Sequence, residues 1–194
     1  MLRRIVAFCA LSLLAACGPP SGTKWHATDI TGAMPVLDFT MTRAGDGAAV
    51  TADDYRGKIV VLYFGYTNCP DVCPATLANL SEVLQKLGAK ANDVRILFVS
   101  VDPKRDTEQV LKDYVHAFGP QIEGLSGTDD QLTALTRRYR VIYSVTPESP
   151  GHPYQVIHSG AVFFFDRRGR ARLVTTKTDD IAGLTQDLRQ LLDM

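Results

Sequence analysis

The chain has 194 residues, of which 45% are hydrophobic and 22% are charged. Its 21 basic side chains balance its 21 acidic ones, so the formal net charge is zero. A hydrophobic fraction of this size is typical of a globular protein and argues against a disordered chain. The balanced charge argues against a nucleic-acid-binding protein, which would need an excess of lysine and arginine.

The first 16 residues have the layout of a secretory signal peptide. Two arginines precede an apolar run at residues 5–14, and this run is too short to cross a bilayer as a permanent helix. The tetrapeptide Leu14-Ala15-Ala16-Cys17 resembles a bacterial lipobox, in which the cysteine becomes the acylated first residue of the mature chain. We therefore predict a lipoprotein signal at residues 1–16, loss of Cys9 with it, and a lipid anchor on Cys17. An ordinary signal peptide that is cleaved nearby is the alternative.

Residues 17–33 are predicted to form a flexible tether that leads to a domain at residues 34–194. The start of this stretch is rich in glycine, proline and serine, a composition that favours irregular structure. Trp25 and His26 lie in it, and both are expected to be partly exposed. His26 is therefore a weak candidate for a metal ligand. The domain that follows is long enough for one sizeable core.

Two continuous apolar runs, at residues 59–64 and 94–101, are typical of buried strands that are covered on both faces. Between them, leucines recur at helical spacing as far as residue 87, and Pro74 suits the first position of that helix. A strand, a helix and a second strand in this order predict parallel strands with a right-handed crossover. Upstream, residues 34–51 are predicted to form a β-hairpin whose first strand includes residues 36–39.

Three further helices are predicted downstream. One opens at a capping box of Asp106 and Gln109 and ends at Gly119. Its inward side chains are predicted to be Val110, Leu111, Tyr114, Val115 and Phe118. The next helix begins near Asp129, and the last is capped by Asp179 or Asp180.

The segment before the last helix contains an insertion and a hairpin. Residues 141–154 include three prolines and are interpreted as an irregular insertion next to His158. Residues 161–165 and 171–175 are predicted to pair as a closing antiparallel hairpin. The whole order predicts an α/β protein with a thioredoxin-like fold, an N-terminal β-hairpin and an irregular insertion before the histidine loop.

Cys69 and Cys73 lie between the first buried strand and the first helix, so both sulfurs are expected at the positive end of that helix. A helix N-terminus favours the thiolate, which is the form that binds soft metals or attacks disulfides. Three residues separate the cysteines, whereas thioredoxin-type oxidoreductases have two, and the wider loop gives two sulfurs room to hold one ion. A local disulfide or two small core residues are the alternatives, although a disulfide across so short a loop removes little chain entropy.

Three segments together resemble the Sco/SenC family of copper proteins. The first is residues 63–74, which end in Cys-Pro-Asp-Val-Cys-Pro. The second is Ser-Val-Asp-Pro at residues 100–103, followed by Arg-Asp-Thr at residues 105–107. The third is Tyr-x-Val-x-His-Ser at residues 154–159. The resemblance extends from residue 34 to the C-terminus.

The resemblance implies that Cys69, Cys73 and His158 bind one copper ion. It implies delivery of that copper for assembly of the CuA site in subunit II of cytochrome c oxidase. Together with the signal and lipobox at residues 1–17, it predicts a position on the periplasmic face of a bacterial cell envelope, with the lipid on Cys17 as the membrane anchor. One position departs from the family pattern, which usually has aspartate before the histidine. This chain has Ile157 there, and a carboxylate near the site is thereby lost.

Copper and an enzymatic role are competing interpretations of the two cysteines. Two thiolates and an imidazole suit copper in both oxidation states, because sulfur favours Cu(I) and imidazole accommodates Cu(II), whereas structural zinc needs four protein ligands. The alternative is a thiol-disulfide oxidoreductase that reduces the oxidase cysteines so that another periplasmic copper chaperone can load them, and a thiol reductant would then maintain the pair. The wider loop, and the lack of a proline directly before Ala161, favour copper. A redox or copper sensor is a third class, for which the sequence shows no signalling partner.

Four further residues are weaker candidates for the site. Asp71 lies between the cysteines and could tune the charge of the site or contact only water. Asp102 follows the second buried strand at its carboxyl end, where ligands bind in open α/β sheets, and could face the thiols or serve as a turn residue. His116 and His152 are expected to face solvent.

Overall fold

The computed structural model describes residues 24–194, so the predicted signal peptide, Cys9 and Cys17 lie outside the described residues. Ten strands and four α-helices follow one another in this part of the chain. The strands are β1 (Thr28–Asp29), β2 (Thr40–Arg43), β3 (Ala49–Thr51), β4 (Ile59–Gly65), β5 (Val94–Ser100), β6 (Ile122–Ser126), β7 (Tyr143–Thr146), β8 (Gln155–His158), β9 (Val162–Phe165) and β10 (Ala171–Thr175). The helices are α1 (Val72–Leu87), α2 (Glu108–His116), α3 (Asp129–Arg138) and α4 (Ile181–Leu192).

An eight-stranded sheet in the order β1-β10-β9-β4-β5-β6-β2-β3 forms the centre of the domain. Strands β4, β5 and β6 run parallel, and their outer neighbours pair antiparallel. Every residue of β4 is buried, as expected for a strand that is covered on both faces. Helices α1, α2 and α4 cover one face of the sheet, and α3 covers the other. The predicted thioredoxin-like α/β architecture is confirmed.

Helix α1 runs over Val72–Leu87 and so begins two residues before the predicted start at Pro74. Proline is tolerated there because the N–H groups of the first turn have no partner within the helix. Cys73 therefore lies inside the first turn, and Asp71 is the N-cap residue although its side chain makes no capping hydrogen bond. The helix ends where predicted, before Gly88, whose φ of 59° favours glycine.

The described part of the predicted tether at residues 17–33 is packed against the domain, which corrects the prediction. Strand β1 pairs antiparallel with β10 at the edge of the sheet. The backbone N–H groups of His26 and Ala27 donate to the carboxylate of Asp187, which is fully buried in α4. These partners are 160 or 161 positions apart in the sequence, so local composition carries no sign of them. The packed domain therefore begins before the predicted boundary at residue 34.

The N-terminal β-hairpin is confirmed, but its first strand lies later than predicted. Strand β2 pairs with β3, and β2 also pairs with β6, which places the hairpin at the far edge of the sheet. Leu37 and Phe39 are buried although they precede the strand, and Val36 is exposed. The apolar pattern at residues 36–39 therefore reflects packing on the core and not strand pairing.

The predicted cap of α2 is wrong, because Thr107 is the N-cap residue and its hydroxyl accepts a hydrogen bond from the N–H of Val110. Asp106 is instead buried beneath the cysteine loop, where its carboxylate accepts bonds from Thr67 and Ser100. Val110 is exposed and not inward as predicted. The other four predicted inward residues pack in the core, Leu111 and Val115 fully and Tyr114 and Phe118 partly. The helix ends at His116, before the predicted Gly119.

The predicted irregular insertion at residues 141–154 is more regular than expected, because it contains strand β7, which pairs antiparallel with β8. These two strands form a ribbon that shares no backbone ladder with the eight-stranded sheet. The prolines lie in the loop between the strands, at residues 147–154. His158 is the last residue of β8, so it lies where the ribbon returns to the main sheet.

The C-terminal elements agree with the prediction. Strands β9 and β10 form the closing hairpin, with a register shift near Ala171. Asp180 caps α4 by accepting the N–H of Gly183, and Thr128 caps α3. Among residues 24–194, none of the helices is both long enough and apolar enough to cross a membrane.

Candidate metal centre

Three potential ligand atoms converge at the carboxyl end of β4. They are the sulfurs of Cys69 and Cys73 and a ring nitrogen of His158, and all lie within 4.8 Å of one another. Cys69 is in the loop after β4, Cys73 is in the first turn of α1, and His158 comes from the ribbon. The Sγ atom of Cys73 lies 3.3 Å from Nε2 of His158. The structure therefore brings together all three residues that the sequence resemblance singled out.

The imidazole of His158 is oriented by a neighbouring carbonyl. Its Nδ1 lies 3.0 Å from the carbonyl oxygen of Ser159, which can only accept, so Nδ1 carries the proton and donates it. Nε2 is then left with a free lone pair that points toward the sulfur of Cys73. Burial of the ring lowers the pKa of His158 below its ordinary value, which keeps this lone pair available at neutral pH.

Aromatic rings hold the imidazole on two sides. The ring of Tyr66 meets His158 edge to face at 5.7 Å between centroids, and the ring of Tyr63 does so at 6.2 Å. Both tyrosines come from the end of β4 and the residue that follows it, so one short segment positions the imidazole and also leads into the cysteine loop.

Cys73 is fully buried, and its sulfur accepts a hydrogen bond from the hydroxyl of Tyr63 at 3.6 Å. Burial raises the pKa of the Cys73 thiol from its usual 9.0 to about 12. The prediction that the helix N-terminus favours the thiolate on both cysteines is therefore wrong for Cys73. The cost of burying its charge exceeds the stabilisation from the helix end.

Cys69 behaves as predicted. Its side chain is only partly buried, and although that burial opposes the charge, the N–H groups of Asp71 and Cys73 point at the sulfur and lower the pKa of the thiol. The N–H of Cys73 lies 3.5 Å from the Cys69 sulfur. The two cysteines thus differ, with a reactive sulfur at the surface and a neutral thiol beneath it.

Gly65 makes room for the buried sulfur. A Cβ atom at this position would lie 2.8 Å from Sγ of Cys73 and 2.5 Å from the ring of Phe98, closer than real Cβ contacts allow. Glycine is therefore required at the end of β4 by close packing, since its φ is not in the left-handed region.

A cleft of about 300 Å³ opens next to the three ligand atoms. Its lining is mostly apolar: Tyr66, Cys69, Pro70, Asp71, Val72, Val156, Ile157, His158 and Gly160. Val72 and Ile157 are both more than half exposed at its rim. The site is therefore open to a partner molecule on one side and closed by the core on the other.

The geometry of the three donors fits one soft metal ion. Two ligands that each lie about 2.0–2.3 Å from one ion are roughly 3.3–4.5 Å apart, so atoms within 4.8 Å of one another can share an ion after small movements. Two sulfurs and one neutral imidazole nitrogen form a set that suits copper. Among residues 24–194 the cluster contains these three donors, one fewer than the four protein ligands of a structural zinc site.

The weaker sequence candidates do not join this cluster. Asp71 is exposed at the rim of the cleft. Asp102 is buried, and its carboxylate binds Arg105 and the hydroxyl of Tyr154, so neither of its predicted roles describes it fully. His116 and His152 are exposed as predicted, and exposed His26 contacts Asp180 and Gln186 on α4.

Several residues that shape the site were not assigned this role from the sequence. Tyr63, Gly65 and Tyr66 lie in the segment that directly precedes the cysteines, and that proximity was the available signal. Arg105 and Tyr154 lie in the other two segments of the resemblance, but nothing in the sequence pairs them. Arg105 and Tyr154 are 49 positions apart in the sequence, and only the fold brings them into contact.

The sequence model of the family described as SCO1/SenC matches residues 29–193 of the chain. The mitochondrial protein SCO2 homolog of Bos taurus is 40% identical over 137 residues, which cover 66% of this chain and 52% of that protein. The chain spans between about half and three fifths of the length of the curated relatives that it matches first.

Two solved structures with copper bound have the same fold. The structure of Arabidopsis thaliana ScoI is 34% identical in sequence, with a TM-score of 0.73 over 81% of this chain and 98% of that one. The structure of Bradyrhizobium japonicum ScoI is 36% identical, with a TM-score of 0.69 over 78% of this chain and 98% of that one.

Proposed function

Because the chain belongs to the SCO1/SenC family of copper-binding proteins, we propose that it binds one copper ion through Cys69, Cys73 and His158. We propose further that it is a copper chaperone that delivers this ion for assembly of the CuA site of cytochrome c oxidase. The oxidase subunit that carries this site would be its partner. A lipid on Cys17 would hold the domain at the periplasmic side of a bacterial membrane.

The convergence of two sulfurs and an imidazole lone pair beside one open cleft carries this proposal. The sulfurs suit Cu(I), and the neutral imidazole adds the nitrogen that Cu(II) prefers. The orientation of the imidazole by Ser159 supports the assignment, because ligating histidines commonly donate their second ring N–H to a carbonyl or carboxylate.

The unequal exposure of the ligands suggests how copper would be exchanged. Cys69 lies at the surface, whereas Cys73 is buried and His158 half-buried. A ligand from the partner can therefore approach through the cleft and reach the Cys69 side first. The apolar rim around Val72 and Ile157 would exclude water where the two proteins meet.

A thiol-disulfide oxidoreductase is the second candidate, and the difference between the two thiols favours it. The Cys69 thiolate would attack a disulfide of the oxidase subunit and form a mixed disulfide. The sulfur of Cys73 would then attack Cys69, passing its proton to Nε2 of His158 at 3.3 Å and releasing the partner thiolate. Two electrons would move to the partner, the chain would keep a Cys69–Cys73 disulfide, and a thiol reductant would restore it.

Copper titration of the reduced protein tests the chaperone proposal. Against a competing Cu(I) chelator without oxygen, we expect one Cu(I) per chain, and tight binding should be lost in Cys69→Ser and Cys73→Ser. His158→Ala should retain Cu(I) better than Cu(II) and should lose the sulfur-to-Cu(II) charge-transfer absorption. His152→Ala, at an exposed histidine of the ribbon loop, is the matched control.

The same variants separate the two candidates in cells. If the protein is a copper chaperone, cells that carry His158→Ala should have lower oxidase activity, and added copper should partly restore that activity. If His158→Ala binds both copper states like wild type and supports full oxidase activity, the histidine is structural and the oxidoreductase becomes the better interpretation. Unchanged Cu(I) affinity in both serine variants would refute the copper site itself.

A further inference from the structure

The position of His158 depends on a ribbon that is not part of the main sheet. Among residues 24–194, strands β7 and β8 form a backbone ladder only with each other, and His158 is at the end of β8. Tyr143 and Val156 on the inner face of the ribbon pack against the core. Apolar packing of this kind is not directional, so it permits small shifts of the ribbon along the core surface. A polar contact between the ribbon and the main sheet would limit such shifts.

Tyr154, directly before β8, makes that contact. Its hydroxyl donates to one carboxylate oxygen of Asp102 at 2.7 Å, and its ring lies over the guanidinium of Arg105 at 3.9 Å. Nε of Arg105 donates to the other oxygen of Asp102. Asp102 is itself held at the end of β5, where its N–H donates to the hydroxyl of Ser100 and its side chain is fully buried. We call Asp102, Arg105 and Tyr154 the ribbon latch.

The ribbon latch also touches the cysteine side of the site. The guanidinium of Arg105 also lies 5.8 Å from the ring centre of Tyr66. Tyr66 in turn packs edge to face on the imidazole of His158. One arginine therefore contacts a ring that belongs to the ribbon and a ring that leads into the cysteine loop, and it ties the two halves of the metal centre together.

We infer that Tyr154 is a positioning residue that, through the ribbon latch, keeps His158 within ligand distance of Cys73. The inference rests on the proposed function. When the latch opens, the ribbon shifts and the imidazole leaves the two sulfurs, which stay in place on the loop after β4 and on α1. Loss of the latch therefore weakens Cu(II) binding, which needs the nitrogen, much more than Cu(I) binding, for which two thiolates suffice.

Graded variants of Tyr154 test this inference. Tyr154→Phe removes only the hydroxyl and keeps the ring over Arg105, whereas Tyr154→Leu removes both contacts. We expect the Cu(II) dissociation rate of Tyr154→Phe to rise about tenfold, as for the loss of one hydrogen bond to a carboxylate. In Tyr154→Leu the Cu(II) dissociation rate should rise further, and the charge-transfer absorption should shift toward that of His158→Ala. Cu(I) affinity should stay within about twofold of wild type in both variants, because the sulfurs do not move.

Tyr55→Phe is the matched control. It removes a hydroxyl that donates to a carboxylate, Glu123, at 2.8 Å, and it lies away from the metal centre. Its copper absorption and dissociation rates should equal those of wild type. Arg105→Lys keeps the positive charge but loses the planar stack and the Nε donor, and we expect it to resemble Tyr154→Leu.

The outcomes separate the inference from the proposed function. If both Tyr154 variants keep the wild-type Cu(II) absorption and dissociation rate while His158→Ala loses them, the latch does not position the ribbon. An equal loss of Cu(I) and Cu(II) binding in Tyr154→Phe would show a general structural defect and would also overturn the inference. If His158→Ala itself keeps the wild-type absorption, the proposed site fails and the latch inference fails with it.

Discussion

The sulfur of Cys73 and Nε2 of His158 lie 3.3 Å apart, although 85 residues separate them in the sequence. The sulfur is buried and uncharged at neutral pH, and the imidazole offers it a lone pair. Cys69 differs from both, since it is partly exposed and its thiol has a lowered pKa. The two cysteines therefore differ in exposure and in thiol pKa, and we expect them to differ in reactivity.

The first prediction concerns alkylation of the reduced, metal-free protein. With limiting iodoacetamide near neutral pH, we expect the label on Cys69 and little on Cys73, because the thiolate reacts and the buried neutral thiol does not. Peptide mass mapping after digestion measures the ratio of label on Cys69 to label on Cys73. Cys69→Ser should react at least about tenfold more slowly than wild type. Equal labelling of both cysteines would contradict the asymmetry.

The second prediction concerns Gly65. Gly65→Ala places a methyl group against the sulfur of Cys73 and the ring of Phe98, and overpacking of this kind costs about 1–3 kcal/mol. Chemical denaturation should show this loss of unfolding free energy. Gly160→Ala is the control, since Gly160 lines the cleft beside the metal centre but an added Cβ there meets open space. Similar stability of the two variants would contradict the close packing at Gly65.

The third prediction concerns the pH dependence of stability. Asp166, buried in the turn after β9, has a lowered pKa because backbone N–H groups and Arg170 stabilise its charge against the cost of burial. A carboxylate whose pKa is lower in the folded state stabilises the fold above its unfolded pKa of about 4 and loses that effect as the pH falls below it. Asp166→Asn should therefore destabilise the protein at pH 7.

The difference in unfolding free energy between wild type and Asp166→Asn should shrink as the pH falls from about 4 toward the lower folded pKa. Denaturation curves at a series of pH values measure it. Asp46 makes a similar contact with an arginine in another turn, but that contact is half exposed. Asp46→Asn should therefore lower the unfolding free energy less than Asp166→Asn does. A constant difference down to acidic pH would show that Asp166 acts through shape and not through charge.

The fourth prediction concerns the lipid anchor. If Leu14-Ala15-Ala16-Cys17 is a lipobox, the intact mass of the mature protein corresponds to a chain that begins at Cys17 with acyl chains added. Cys17→Ser should then release the domain from membranes, since two or more acyl chains on Cys17 would anchor it at about 0.8 kcal/mol per buried CH₂. A mature terminus elsewhere, without lipid, would refute the assignment.

Local patterns in the sequence were sufficient for the order of the main elements. The apolar runs of β4 and β5 and the leucine spacing of α1 predict a buried parallel pair with a crossover helix, because periodicity reports which faces are covered. The position of the cysteines at the junction of β4 and α1 follows from the same patterns. Local chemistry also predicted that Asp179 or Asp180 caps α4, and the structure shows that Asp180 does.

Contacts between distant segments were decided by the tertiary structure alone. The hydrogen bonds from the backbone of His26 and Ala27 to Asp187 join residues 161 and 160 positions apart. The bond from Tyr154 to Asp102 joins residues 52 positions apart, so no local sequence pattern indicates either contact. The same limit explains the error at Cys73. Its place at a helix N-terminus could be predicted from the sequence, but its complete burial beside Tyr63 could not, and burial determines which charge state the thiol adopts.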